Sequence, residues 1–369
     1  MELLAKTFHG LEDVLANEIE EIGGTNIEKL NRAVSFEGDK KVMYRANFAL
    51  RTALNVLTPI KKFTIENQND FYEQARSIEW DTYFKVRKTI LVNATVNSDI
   101  FDHSHFLSLR TKDAIADYFT DKVGRRPNVE KDNPQVRIDV HLKDNEAIIS
   151  LNSSGEALFK RGYRVHHGKA SLNEVLAAGM VLKTGWKGDT ELIDPFCGSG
   201  TILTEAALIA ANIRPGEYRD SFAFEHWLDY EKKVLEEVKD EDDQRKIEVP
   251  ILGVDIEPKQ IGFAKANIQS AFLQKYISVQ KGDFETIEGD ADNGIIITNP
   301  PYDKRVQIDE IKTLYRRFGD HLKQQFTGYN AWIVSGNDMA LRNIGLKTSS
   351  RQILYNGPIE SKFCHYELF

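Results

Sequence analysis

Two cysteines in 369 residues, Cys197 and Cys364, are too few to staple a fold. A disulfide scaffold is therefore excluded, and a reducing, cytoplasmic setting is the expectation. Long apolar runs are missing as well: none approaches the roughly 20 residues a membrane-spanning helix needs. The opening segment, residues 1–23, is interrupted early by acids and lacks the continuous apolar stretch of a secretory signal. No membrane partner is expected. Residues with metal-ligand spacing are also lacking, because His103 with His105 and His166 with His167 have neither Cys nor carboxylate set around them. These read as surface histidines, and no metal is expected.

Positive charge is scarce too. The net charge of −8 gives no support to a nucleic-acid partner, yet it is unevenly distributed. Residues 1–170 hold 25 basic and 25 acidic side chains, whereas 217–248 alone hold 12 acidic and 6 basic ones. The acidity is largely one local segment, which reads as a solvated helical face that also repels RNA from the wrong side. A basic face elsewhere is not excluded.

What is present divides the chain, whose length suits two or three domains. Up to about residue 155, helical and strand patterns mix. Leu11, Val14, Leu15, Ile19 and Ile22 recur at helical spacing before Gly23-Gly24. A strand at Ala33–Phe36 is followed by a helical stretch near Val42–Val56, a strand at Ile90–Val96 and a helix at Ser108–Phe119. Val136–Leu142 and Ala147–Leu151 alternate as strands about a turn at Lys143-Asp144-Asn145. This mixture predicts an α+β region. Ser171-Leu172-Asn173-Glu174 then matches a capping box opening a helix that ends near Gly185.

Beyond it, strands and helices alternate regularly. Strands are expected at Glu191–Ile193, Val249–Val254, Ile277–Val279, Gly294–Thr298 and Ala331–Ser335, with helices at Thr201–Ala211, Pro258–Phe272 and Ile308–Gln324. That alternation predicts a parallel sheet covered on both faces. Arg351–Tyr355 and Lys362–Leu368 close the chain as a hairpin around Asn356-Gly357.

Asp194-Pro195-Phe196-Cys197-Gly198-Ser199-Gly200-Thr201 sits between a strand and an apolar helix, where open α/β sheets bind ligands. Its glycines permit a sharp turn and bare backbone against a ligand. It is neither G-x-G-x-x-G nor a P-loop with its Lys, and Asp194 has the wrong sign for cradling phosphates. It suits a neutral or cationic ligand. Asp255, followed by Ile256, ends the next strand, where a carboxylate can accept from ribose hydroxyls; Asp283, followed by Phe284, comes after the third. Lone Asp residues there are usually caps, but three in order at one sheet edge suggest a site. The 61 residues from Asp194 to Asp255 point to an insertion at 212–248.

Asn299-Pro300-Pro301-Tyr302 follows the apolar strand Ile295-Ile296-Ile297. Two prolines stiffen the backbone and fix the direction of the Asn299 side chain. An exocyclic base amine is a weak nucleophile, since its lone pair is delocalised into the ring. Acceptance of both amine hydrogens, by Asn299 oxygen and the Pro300 carbonyl, frees that lone pair by positioning and electrostatics. Tyr302 offers a face on which a splayed base can stack. Lys160, Arg161, Tyr163 and Arg164 interleave cations with aromatic side chains, a pattern suited to RNA phosphate contact.

Asp194–Thr201, Gly253–Ile256, Gly282–Phe284 and Asn299–Tyr302 together closely resemble the ordered motifs of class I, S-adenosylmethionine (SAM)-dependent methyltransferases that act on amines. The resemblance covers about residues 160–369. It implies a Rossmann-like α/β domain with seven strands, the last antiparallel. It also implies SAM-binding roles for Asp194, Phe196, Gly198, Ser199, Gly200, Thr201, Asp255, Ile256, Asp283 and Phe284, and catalytic roles for Asn299, Pro300 and Tyr302. Residues 1–155, through Gly10–Leu15, Ser108–Ile115 and Pro134–Leu142, resemble a ferredoxin-like plus THUMP region, with Leu158–Arg164 as the junction. The implied domains are 1–60 (ferredoxin-like), 61–157 (THUMP, packed or interleaved with the first) and 158–369 (methyltransferase). The combination resembles the guanine-N2 methyltransferases, most of all the N-terminal half of the bacterial large-subunit ribosomal RNA enzymes. The chain departs from these in having one catalytic domain rather than two. The implied partner is RNA, ribosomal first and transfer second. DNA adenine-N6 methylation, and a non-catalytic RNA-binding assembly factor that retains SAM, are the alternatives.

Overall fold

A computed structural model describes residues 1–168, 172–241, 243–289, 292–302 and 308–369. The chain divides into two compact units, the first made of Met1–Lys6, Glu18–Leu158 and Arg219–Glu241, the second of Thr7–Asn17, Phe159–Tyr218 and Asp242–Phe369. The opening elements are β1 (Glu2–Lys6), α1 (Glu12–Glu21), β2 (Thr25–Leu30), β3 (Ala33–Glu37), α2 (Lys40–Ala49) and β4 (Asn55–Thr64). They continue with α3 (Gln68–Arg76), β5 (Ile90–Asn97), α4 (Ser104–Val123), β6 (Val136–Lys143) and β7 (Glu146–Asn152).

The seven strands make one sheet in the order β2-β3-β1-β4-β7-β6-β5. β4 pairs with β1 on one side and β7 on the other, so a division at residue 60 runs through a shared strand. The sequence reading carried a helix on to Val56, but α2 stops at Ala49 because Leu50 is extended. Val56 is instead a buried residue of β4. The ladder to β7 shifts between Pro59 and Lys61, an irregularity that tolerates a proline without an N–H. Burial alternates along β6, with Val136, Ile138, Val140 and Leu142 inside, and α4 turns Leu107, Thr111, Ala114, Ile115 and Phe119 inward.

The second unit begins with α5 (Glu174–Thr184), β8 (Glu191–Asp194) and α6 (Thr201–Ala210). The predicted capping box is replaced: Asn173 caps α5 through its side-chain oxygen on the Val175 N–H, and Ser171 lies outside the described residues. After α6 comes the predicted insertion, whose Arg219–Glu241 part belongs to the first unit. It carries α7 (Lys232–Asp240), with Leu235 and Val238 buried. Its acids stay largely exposed, as a solvated face requires, and three of them also pair with cations of α2. Lys40 Nζ meets Glu231 Oε1 at 2.7 Å, Lys41 Nζ meets Glu237 Oε2 at 3.3 Å, and Arg45 Nε meets Glu241 Oε2 at 2.9 Å. Phe224 stacks on Tyr44 with centroids 4.2 Å apart. Local cations on α2 thus offset much of the charge that the segment contributes.

The remaining elements are β9 (Ile251–Asp255), α8 (Pro258–Ser270), β10 (Ile277–Lys281), β11 (Gly294–Thr298), α9 (Ile308–Gln325), β12 (Asn330–Ser335), α10 (Asp338–Arg342), β13 (Ser350–Asn356) and β14 (Ile359–Glu367). The second sheet is ordered β10-β9-β8-β11-β12-β14-β13. Its first five strands are parallel, and β14 runs antiparallel between β12 and β13. β8 and β11 are neighbours although β9 and β10 intervene in sequence, so the strand order reverses there. Ligands of doubly wound sheets bind outside the carboxyl ends at such a reversal. Among the described residues, no helix is long and apolar enough to cross a membrane.

Candidate active site

Four polar groups converge at the carboxyl ends of β8, β9 and β11. Asp194, last in β8, is 1% exposed; its Oδ1 accepts from the Thr298 hydroxyl at 2.6 Å and the Phe196 N–H at 3.2 Å. The Thr298 bond ties the first glycine turn to the end of β11, one residue before Asn299. Burial pushes the Asp194 carboxyl up to about 7, against the pull of the Thr298 and Phe196 bonds. Asp255, last in β9, accepts from the Gly198 N–H through Oδ2 and from the Glu257 N–H through Oδ1, both at 2.9 Å. Burial raises its pKa as well. Ile256 beside it is 62% exposed, an apolar face held open next to the carboxylate.

The glycine turn packs tightly behind and is open in front. Gly198 takes φ +53°, and a β-carbon there meets nothing within 4 Å. At Gly253, by contrast, a β-carbon falls 2.3 Å from Leu203 Cδ1 and 3.0 Å from Cys197 Cβ. Cys197 is buried and its N–H donates to Val254 O at 2.9 Å, so it packs the turn against β9. Ser199 and Thr201 are each 6% exposed and pack within the turn.

Asn299 follows β11 directly, and its buried Oδ1 has no hydrogen-bond partner among the described residues. An orphaned buried acceptor is costly unless a ligand completes it. Pro300 is buried, and Tyr302 is half-buried with its hydroxyl accepting from Asn356 Nδ2 at 3.3 Å.

Three predicted residues sit differently. Asp283 caps the turn Phe284–Thr286 through the Glu285 N–H, with Arg317 3.8 Å away, so its carboxylate is already engaged. The Phe284 ring is 3% exposed and lies among Phe196, Phe318 and His321. It supports Phe196 from behind rather than presenting a face. The Thr201 hydroxyl is engaged by Arg164 Nη2 at 2.7 Å.

The basic junction is a correction. Arg161 and Tyr163 are each 1% exposed, with Arg161 Nε 3.5 Å and the Tyr163 hydroxyl 2.8 Å from Glu205 Oε1. Arg164 Nε pairs with Glu174 at 3.0 Å and its Nη2 donates to Leu172 O. Of the four residues expected on RNA phosphates, only Lys160 is exposed. The cations are drawn inward because Glu205 and Glu174 are buried and need charge partners.

Asn267 was missed. It is 2% exposed on α8, and its Oδ1 accepts from the Val165 and His166 N–H groups, both at 3.0 Å. Its Nδ2 donates to His166 O and Ser199 O, both at 3.1 Å. A single amide therefore fastens the junction to the glycine turn. No short motif advertises it; a lone Asn inside an amphipathic helix was the only sign. Thr298 was legible in principle, as the one polar residue ending an otherwise apolar strand.

Residues 161–364 match the family described as the RMKL-like methyltransferase domain, 66–152 match the THUMP domain and 2–57 the RlmL ferredoxin-like domain. The protein named "Putative RNA methyltransferase slr0064" from Synechocystis is 36% identical over 99% of this chain and 96% of its own. The chain belongs to the RMKL-like methyltransferases. It is a class I enzyme whose methyl donor is SAM. "Ribosomal RNA large subunit methyltransferase K/L" of Syntrophotalea carbinolica is 32% identical over 97% of this chain; the chain spans 52% of that relative's length. Among solved structures, SMU.472, "a putative methyltransferase complexed with SAH", superposes with a TM-score of 0.89 at 25% identity, covering 100% of this chain and 98% of that one. In an RMKL-like methyltransferase, the reversal between β8 and β11 is the region to test for donor and acceptor.

Proposed function

We propose that this methyltransferase transfers the methyl group of SAM to the N2 amine of a guanine in large-subunit ribosomal RNA. The observation that carries the reading is the buried Asn299 Oδ1, unpartnered among the described residues, at the carboxyl end of β11 beside the glycine turn that follows β8. SAM fits the donor set: it brings a cationic sulfonium methyl and an amino group, and no phosphate, to a turn flanked by two carboxylates. Asp255 would take the ribose hydroxyls, the open backbone at Gly198 would lie against the ligand, Ile256 would cover its adenine, and Asp194 would face its cationic end. Phe196, braced by Phe284, would line the floor, with Ser199, Gly200 and Thr201 holding the turn and Asp283 reaching the adenine side through its capped loop.

Asn299 Oδ1 and the Pro300 carbonyl then accept the two amine hydrogens, which favours a tetrahedral nitrogen with its lone pair directed at the methyl carbon. The new nitrogen–carbon bond would form as the sulfur–carbon bond of SAM breaks, with S-adenosylhomocysteine leaving and one proton passing from the nitrogen to water. No side-chain base of tuned pKa is required. The test is transfer of labelled methyl to unmodified large-subunit ribosomal RNA, followed by nucleoside analysis. N2-methylguanosine supports the reading; with unmethylated DNA offered in parallel, label in N6-methyladenine of that DNA moves it to the alternative served by the same tetrapeptide. Absence of transfer with SAM still bound favours a non-catalytic factor. The THUMP match favours RNA over DNA.

Two expectations follow from the donor side. The raised Asp194 pKa means the folded state holds a proton up to about 7 that the unfolded chain releases near 3.8. This residue's contribution to stability therefore falls as pH rises between those values. A cationic ligand favours the ionised carboxylate, so SAM affinity should rise with pH below that point and level above it, by at most about tenfold per unit. Calorimetry across that range should show the slope in the wild type and its loss in Asp194→Asn. Asn267→Ala, which strips the tether from Ser199 O, should weaken SAM by about tenfold. Equal affinity in calorimetry would mean the turn holds its shape without it.

A further inference from the structure

The tip of the β13–β14 hairpin stands next to the Asn299–Tyr302 segment and has no role in the reading above. Asn356, last in β13, donates its Nδ2 to the Tyr302 hydroxyl at 3.3 Å. The Tyr302 ring also lies against the backbone at Gly336, just beyond β12: a β-carbon there would come 3.1 Å from Tyr302 Cε2 and 2.7 Å from Ile359 Cγ2. Gly336 is exposed, so the space it leaves is not a core requirement. Ile359, first in β14 and 45% exposed, completes the contact from the hairpin side. Two segments distant in sequence therefore meet one aromatic ring: the polar tip holds its hydroxyl, and the missing side chain at Gly336 admits its edge.

A ring that serves as a stacking platform must keep its plane when the base arrives, since an untethered side chain pays rotamer entropy on binding. Stacking itself needs only the ring, which phenylalanine would supply equally well. The tyrosine hydroxyl has a use when something grips it, and Asn356 does.

We propose that Asn356 and Gly336 are positioning residues that fix Tyr302 as the platform for the target base. The inference rests on the reading of Asn299–Tyr302 as the catalytic segment.

The test is a double-mutant cycle of Tyr302→Phe and Asn356→Ala, assayed with an unmodified in vitro transcript of large-subunit ribosomal RNA. Each single change removes the same hydrogen bond, so each should lower kcat/KM for RNA by about three- to tenfold, mostly through KM, and the double variant should be no worse than either. SAM affinity by calorimetry should be unchanged throughout, which excludes a general loss of fold. Asn356→Asp should restore most of the activity, because the tyrosine O–H can donate to a carboxylate. Gly336→Ala should lower kcat/KM further by displacing the ring. Additive losses, full activity in Asn356→Ala, or no recovery in Asn356→Asp would each overturn the proposal. Failure of the catalytic reading itself is separable, since Asn299→Ala would then retain turnover whatever Asn356 does.

Discussion

Asn299→Ala is expected to slow methyl transfer by about 10²–10³-fold, the usual effect of deleting one preorganised polar group at a reacting centre. SAM affinity should stay within about twofold, because the contacts proposed for Asp194, Asp255 and Gly198 on the donor side would be untouched. The physical ground is the state of the Asn299 oxygen, buried with no partner among the described residues. An unmet buried acceptor costs about 1–3 kcal/mol, so removing it should leave the fold equally stable or slightly more so. Lost activity with held or gained stability is the signature of a group kept for chemistry rather than for packing. Single-turnover rates, calorimetry with SAM and thermal unfolding on the same preparation measure the three quantities. An Asn299→Ala enzyme that is unstable and active would assign the residue to the fold.

The second large effect concerns the junction. Arg161→Ala should destabilise the protein by about 3–5 kcal/mol, the range for removing one partner of a buried ion pair. Glu205 is 0% exposed, and one of its carboxylate oxygens has no hydrogen-bond partner among the described residues. Without Arg161 its buried charge would lose the guanidinium paired with it and keep the Tyr163 hydroxyl. The alternative, a phosphate contact, predicts a different pattern: preserved stability, weaker RNA binding and a shallower salt dependence. Denaturant unfolding alongside RNA binding at several salt concentrations separates the two. A stable Arg161→Ala variant with a flattened salt slope would restore the phosphate role.

Much of this was legible in the sequence, and the reasons are specific. Alternation of strand and helix from Glu191 onward was plain because parallel strands buried on both faces read as short apolar runs, as in Ile295-Ile296-Ile297. The order of Asp194, Asp255, Asp283 and Asn299 placed each at one sheet edge, since each ends or follows a parallel strand. What could not be read was whether a polar side chain faces solvent or the interior. Arg161 and Tyr163 alternate with exposed Lys160 and Gly162, a pattern equally consistent with a basic surface; only the buried Glu205, 42 to 44 residues away, decides it. Phe284 and Asp283 likewise belong to the third motif by position, yet one packs against α9 and the other caps a turn. Long-range partners such as Asn267 with Ser199 or Asn356 with Tyr302 leave no local pattern, so they emerge only from the fold.

The most direct test of the central claim is a crystal structure of the protein with S-adenosylhomocysteine. The account predicts the ribose hydroxyls on the Asp255 carboxylate and the sulfur opening toward Asn299, with room for an amine nitrogen about 3 Å from the transferred carbon. A ligand seated away from the turn at Gly198, or a sulfur facing away from Asn299, would contradict it.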